Sequence, residues 1–403
     1  MPERETRSAG PAKTCDVLFV YGSELEQYNF GRSHPLKPHR YRLTKLLMEG
    51  LGLLDGPGIH VAAPRHATVS ELLTVHSYPY LQGVRRAQNI ARHKARPTDL
   101  SVFGLGSLDN PYFSAIYEAG SLAAGASIQA MEAILEDKTL HAYNMAGGLH
   151  HAGRAKAAGF CIFNDPALAI HKALERGARV AYVDLDAHHG DGVQEFFYED
   201  PRVLTISIHE SGRYLFPGSG GFDERGAGPG LGTTLNLPLP PRAGNEAFLY
   251  ALDNIIEPAV RAFQPDVLVT QTGCDTHWSD PLTHLGATLE LYPALGRRLH
   301  HLSHTVTEGR WLILGGGGYD PVSITPRAWT AFFAAAIEAR PFPSELPPAW
   351  LDEVASWDVE APTHLLDDPG PDFETRGAET VRHLEDEFKR SMLPGLRGLR
   401  ITA

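Results

Sequence analysis

The chain is short of cysteine. Its 403 residues hold three, Cys15, Cys161 and Cys274, far apart and without CxxC spacing. A disulfide framework is thereby excluded, and a reducing compartment is indicated. Long apolar runs are missing too, since none reaches the ~18 residues that a membrane-crossing helix requires. The first residues, Met-Pro-Glu-Arg-Glu-Thr-Arg, lack the apolar core of a signal peptide, so cytoplasm is the expected location. There is no long basic run, and the formal net charge is −12. That balance argues against a nucleic-acid partner held by phosphate contacts, and without a spanning run no membrane is expected as a partner. It suits an enzyme that meets cationic substrates. No internal repeat and no linker separates two cores.

What is present reads as one α/β domain over residues 14–375, with a disordered leader over 1–13 and a charged helix and tail over 376–403. Apolar, β-rich runs of strand length occur at Asp16–Tyr21, His141–Ala146, Val180–Leu185, Val203–Ile208, Asp266–Thr272 and Trp311–Leu314. Helical patterns lie between them, at Tyr41–Glu49, Ser70–His76, Tyr80–Gln88, Pro111–Glu136, Asn245–Phe263 and Leu289–Val306. Pro258 is expected to kink the fifth of these. Asp165-Pro166 reads as a helix start with Asp165 as the N-cap, and Thr325-Pro326 as another capped start. Strand–helix alternation of this kind predicts a central parallel sheet flanked by helices. Residues 211–232 form a Gly-rich loop, and a loop that long in a compact domain is more often functional than idle.

The stretch Arg179–Gly192 concentrates three carboxylates and two histidines after a strand. A capped turn needs one Asp, not three, and has no use for His-His. Side chains alternate along a strand, so Asp184 and Asp186 share a face, and one more extended step adds His188. The carboxyl ends of strands are where open parallel sheets place ligands. Other strand ends deliver Asp275 and Tyr319, and the loop after Ala146 delivers His150 and His151. Alone, each is ordinary: His-His is commonly accidental, and Asp275 could be a turn residue. Gly315–Gly318 is not a phosphate loop, because no Lys-Ser/Thr follows. Together they supply two carboxylates and an imidazole for an open catalytic metal site, a histidine base and a tyrosine donor. Those parts suit amide hydrolysis.

The combination Gly147-Gly-Leu-His-His151, Gly159-Phe-Cys-Ile-Phe-Asn-Asp165, Asp184-Leu-Asp-Ala-His-His-Gly-Asp-Gly192, Phe216-Pro-Gly218, Gly273-Cys-Asp-Thr276 and Gly315-Gly-Gly-Gly-Tyr319 resembles the zinc-dependent histone deacetylase superfamily. His34-Pro-Leu-Lys-Pro-His-Arg40, Ser207–Gly218 and Gly318-Tyr-Asp-Pro321 make it most similar to the bacterial acetoin-utilisation deacetylases. The resemblance covers roughly residues 15–340.

It implies an arginase/deacetylase-like fold with the site in loops at the strand carboxyl ends. It implies one Zn2+, with Fe2+ as an alternative in the cell, held by Asp186, His188 and Asp275. His151 is then the general base and the acid for the leaving amine, with His150 beside it. Asp184 backs His150, Asp191 backs His151, and Tyr319 donates to the substrate carbonyl. Gly159, Phe160, Phe216 and Leu282 wall a tube for a lysine stem, and Asp109 binds substrate backbone at the rim. Arg40 lies beneath the metal, near a channel for acetate. A structural K+ is implied at Asp184, Asp186, His188, Ser207 and Ile208, and a second cation near Phe197, Asp200 and Val203.

The implied substrate is N6-acetyl-lysine in a protein, such as the metabolic enzyme acetyl-CoA synthetase. A small acetylated amine, as taken by acetylpolyamine amidohydrolases, is the competing substrate. A scaffold without catalysis would be expected to lack Tyr319 or His151, and both are present. A two-manganese site would need more carboxylates facing Asp186 than the one obvious distant ligand, Asp275.

Overall fold

The computed structural model describes residues 16–94, 96, 98–357, 359, 362–368, 370 and 376–398. The expected leader over 1–13 and Cys15 lie outside them. The strands are β1 Val17–Val20, β2 Ile59–Ala62, β3 His141–Asn144, β4 Val180–Asp184, β5 Val203–Glu210, β6 Thr234–Leu239, β7 Val267–Gln271 and β8 Trp311–Leu314. The helices are α1 His39–Gly50, α2 Val69–Leu72, α3 Tyr78–His93, α4 Ile116–Leu135, α5 Asp165–Glu175, α6 Asp191–Phe197, α7 Asn245–Ala251 and α8 Glu257–Phe263. After them come α9 Leu291–Val306, α10 Thr325–Ala336, α11 Pro348–Ala355, α12 Arg376–Ser391 and α13 Leu393–Gly398.

All eight described strands join one parallel sheet in the order β2-β1-β3-β8-β7-β4-β5-β6. Alternation along β4 shows why both faces are covered. Ala181 and Val183 enter one apolar core with α7, α9 and α10, while Val180 and Tyr182 enter the other with α3, α4 and α5. Parallel sheets are stable when buried in this way on both sides. The order sets β3, β8, β7 and β4 side by side. Their carboxyl ends therefore open onto one patch, and four loops meet there.

Several expectations change in detail. The edge strands β2 and β6 were not expected. β2 is four residues long and half-exposed, and β6 carries Asn236 and Pro238, so neither has the apolar signature of the inner strands. The N-cap of α5 is Asn164, whose side chain accepts from the Ala167 N–H at 2.9 Å. Asp165 lies one residue inside, where its carboxylate accepts from the Gly148 and Leu149 N–H groups at 3.0 and 2.8 Å. Thr325 is likewise the first residue of α10 and makes no side-chain cap. The helix expected over 245–263 is interrupted by a wide turn at Leu252–Ile256, just before Pro258. Val381, Leu384, Phe388 and Met392 of α12 and its C-terminal flank are buried in the core shared with α7 and β6. No described helix is long and apolar enough to cross a membrane.

Candidate active site

β4 ends at Asp184, and residues 186–188 bend. The chain does not stay extended to His188, as expected from alternation. Instead the carboxylate of Asp186 accepts from the His188 N–H at 3.0 Å, and this turn sets the two side chains together. Asp275 arrives from the end of β7. Its Oδ2 lies 2.8 Å from Nδ1 of His188, and its Oδ1 accepts from the Ala187 N–H at 2.8 Å. Nδ1 of His188 is also 3.1 Å from Oδ1 of Asp186. All three side chains are buried, and their ligand atoms lie within 4.8 Å of one another.

The electrostatics call for a cation. Burial, then the neighbouring charge of Asp186, pushes the Asp275 carboxyl up to about 7. Burial opposes charge on His188 as well, yet the two carboxylates outweigh it and raise its pKa well above the ordinary value. Two buried carboxylates repelling each other beside an imidazole are the donor set of an open divalent-metal site, and a dication would relieve that repulsion. These residues fit one.

Facing this cluster is a histidine pair. Nδ1 of His150 is 2.7 Å from Oδ2 of Asp184, and Nδ1 of His151 is 2.6 Å from Oδ1 of Asp191. The two Nε2 atoms are 3.0 Å apart. Burial works against charge on both rings. On His150 the carboxylates of Asp184 and Asp186 overcome it and raise the pKa to about 9. On His151 burial and the charge of His150 win over Asp191, and the pKa falls to about 4. One ring is thus charged and its neighbour uncharged at neutral pH, the split that separates an electrostatic role from a basic one.

The β8 end supplies Tyr319. Its N–H donates to Oδ2 of Asp280 at 2.8 Å. Burial and the charges of Asp275 and Asp186 raise its hydroxyl pKa well above the ordinary value, so the hydroxyl stays a donor. The Gly-rich turn before it runs against the cluster: the Gly317 N–H donates to Oδ2 of Asp186 at 2.7 Å, and a Cβ on Gly317 would land on Oδ2 of Asp275. Arg40 is fully buried beneath this turn, donating to the Gly318 carbonyl at 2.9 Å. Its Nε has no partner among the described residues.

Two aromatic walls stand above. Phe160 meets the Tyr319 ring edge-on at 5.7 Å between centroids, and Phe216 meets the His151 ring at 5.0 Å. Gly159 has φ +49°, and a Cβ there would strike the His151 ring. Leu282 is half-buried, its N–H donating to Asp280 at 2.9 Å. Asp109 is exposed, and its carbonyl lies 3.1 Å from Nε2 of His34, whose ring packs on Phe160. Ser207 pairs with Asp184 across β5 and β4, and Ile208 follows it in the core. The Phe197 and Asp200 carbonyls accept from the Asp200 and Val203 N–H groups, and the Asp200 carboxylate pairs with Arg202 at 2.6 Å.

Several supporting residues escaped the sequence reading. Gln271 donates to Oδ2 of Asp186 at 2.6 Å, and the Tyr182 hydroxyl donates to Asp184 at 2.7 Å. Asn164 donates to the carbonyls of His150 and Ala152 at 3.0 and 2.9 Å. The Tyr28 hydroxyl donates to the Phe160 carbonyl at 2.8 Å. Burial and the charge of Asp275 push the Asp280 carboxyl up to about 8. For Gln271 and Asp280 a signal existed, since a polar residue ending an apolar strand and a carboxylate five residues past Asp275 both invite a partner.

Residues 34–336 match the histone deacetylase domain model. The chain is 40% identical over 351 residues to the acetoin utilization protein AcuC of Bacillus subtilis, covering 87% of this chain and 88% of that protein. It is 37% identical over 357 residues to AcuC of Staphylococcus xylosus, covering 87% and 90%. AcuC of Staphylococcus aureus matches at 37% over 340 residues, covering 84% and 86%.

Proposed function

The chain belongs to the histone deacetylase family and is a deacetylase by that membership, and from this premise we propose that it hydrolyses the acetyl amide of N6-acetyl-lysine in proteins, releasing acetate. The observation that carries the reading is the pair of carboxylate-backed histidines facing Asp186, His188 and Asp275, with Tyr319 on the flank.

Asp186, His188 and Asp275 would hold one Zn2+, or Fe2+ in its place. Such a cation supplies Lewis acidity, polarising the amide carbonyl and acidifying a water. His151, uncharged, takes the proton of the attacking water and returns it to the lysine amine as the C–N bond breaks. Asp191 holds that ring by Nδ1 and stabilises the imidazolium that forms. His150 keeps positive charge beside the developing anion, fixed by Asp184. The Tyr319 hydroxyl donates to the carbonyl oxygen as its charge grows. Phe160, Phe216, Gly159 and Leu282 wall the lysine stem, and four buried methylenes at ~0.8 kcal/mol each give roughly 3 kcal/mol. Asp109 binds substrate backbone, and Arg40 attracts departing acetate.

Asp184, Asp186, His188, Ser207 and Ile208 are proposed to hold a structural K+, and Phe197, Asp200 and Val203 a second cation. The cytoplasm is the proposed location. A functional core over 14–375 with an appended segment over 376–403 is the proposed division.

The rim favours a protein over a polyamine. Leu108, beside Asp109, is 95% exposed, and Tyr214 and Phe216 are 59% and 45% exposed. An apolar, open rim suits a peptide backbone and its neighbours better than a small polycation. Acetyl-CoA synthetase is the target proposed, in keeping with relatives named for acetoin utilization. Comparing kcat/KM on acetyl-lysine peptides and acetylspermidine tests the substrate class. A higher value on acetylspermidine would overturn it.

A further inference from the structure

At the opposite end of the sheet from the catalytic loops, three histidines converge. His141 opens β3 and is fully buried. His300 and His304 lie four residues apart on α9 and so share a face. The ring centroids are 5.2 Å apart for His141 and His300, 5.1 Å for His141 and His304, and 4.5 Å for His300 and His304. Each ring brings a nitrogen within 4.8 Å of those of the other two.

The backbone orients two of the rings. Nδ1 of His141 is 2.8 Å from the Gly309 carbonyl, and Nδ1 of His300 is 2.7 Å from the Ala336 carbonyl, one of the unsatisfied acceptors at the end of α10. A carbonyl can only accept, so each Nδ1 carries a proton, and Nε2 of His141 turns towards the His300 ring, 3.2 Å from its Nδ1. Histidines that bind metals are held in this manner, the distal N–H tied to a carbonyl. Nε2 of His300 faces Oε2 of Glu338 at 3.9 Å. Three imidazoles gathered this closely, with a carboxylate beside them, are a donor set that suits a transition-metal dication.

We infer that His141, His300 and His304, with Glu338 in reach as a fourth ligand, form a second site for a divalent transition-metal ion of the Zn2+ class, one that ties α9 and the end of α10 to the amino end of β3. The site is structural and stands apart from the deacetylase chemistry. His141 precedes the strand whose far end leads to His150 and His151, so the two metal sites lie at opposite ends of β3.

The test counts metal in the full-length protein. Chelator-stripped wild type, Asp275→Ala, His304→Ala and the double variant are each titrated with Zn2+ against a chromophoric competitor. Two equivalents are expected for wild type, one for each single variant and none for the double variant. His304→Ala, an exposed position, should keep wild-type deacetylase turnover once loaded. Excess Zn2+ should raise the Tm of Asp275→Ala and leave that of the double variant unmoved. The inference is overturned if His304→Ala binds as much Zn2+ as wild type, or if both Asp275 variants gain the same Tm. Failure of the catalytic site alone would instead show as one equivalent in wild type, retained by Asp275→Ala and lost in His304→Ala.

Discussion

Nε2 of His150 lies 3.0 Å from Nε2 of His151, while behind the rings the carboxylates differ, Asp184 on one and Asp191 on the other. The pair is therefore separable by mutation. Asp191 raises the pKa of His151 against burial and the charge of His150, so Asp191→Asn should lower it further. The acid limb of the pH–rate profile, where the base becomes protonated, should move to lower pH. Asp184→Asn removes charge that holds His150 protonated, so the alkaline limb should also move to lower pH. Profiles of kcat/KM from about pH 3 to 10 check both shifts. An acid limb that answers to Asp184 and not to Asp191 would reverse the assignment of the base.

Removing a metal ligand should affect binding and chemistry together. Asp275→Ala leaves His188 and Asp186 with no third donor, so metal at this site and deacetylation are expected to fall in parallel. Metal analysis of the same samples used for kinetics checks this. If that variant matched wild type in both, the ligand set would be wrong.

The tube has a tight point at Gly159. A methyl there meets the His151 ring and crowds Phe216, on a backbone with φ +49°. Overpacking of this kind costs about 1–3 kcal/mol, which on the transition state is roughly 5- to 150-fold in turnover. Gly159→Ala should lose that much while its far-ultraviolet circular dichroism and metal content stay as in wild type. Full turnover would mean that the His151 ring can move aside.

Acid stability should report on Asp368. Its carboxylate accepts from Trp278 Nε1 at 2.8 Å and the Leu289 N–H at 2.8 Å, and lies 2.9 Å from Nε2 of His277. Burial opposes its charge, but those donors win and lower its pKa to about 2. The folded pKa is depressed, so this stability is present above the unfolded value of ~3.9 and is lost as pH falls towards 2. The shift corresponds to roughly 2–3 kcal/mol. Asp368→Asn should lower the Tm at pH 7 and narrow its gap to wild type below about pH 3. A gap unchanged with pH would refute the charged-acceptor role.

How much of this was legible in the sequence depends on the residue. His150, His151, Asp186, His188, Asp275 and Tyr319 stand in loops directly after apolar strands, and a polar, Gly-rich break after such a run is visible locally. Their convergence followed from a parallel sheet, whose carboxyl ends point one way. β2 was hidden because it buries little, and β6, although buried, was hidden because Asn236 and Pro238 break its apolar run. Asp165 was read as a cap when its carboxylate holds the loop before His150, since only the fold brings Gly148 and Leu149 to it. Similarly, His300 and His304 show helical spacing in the sequence, but His141 is distant along the chain and joins them only through packing.

The account rests most heavily on Tyr319 as the donor to a carbonyl activated at the Asp186–His188–Asp275 site. The direct measurement is turnover of an acetyl-lysine peptide by Tyr319→Phe, with metal content determined on the same sample. The substitution deletes one hydroxyl and leaves the Asp280 contact to the backbone N–H available. Loss of an oxyanion donor typically costs about 100- to 1000-fold in turnover. The account predicts a loss of that size with metal and KM close to wild type. Near-full turnover with the metal retained would contradict it.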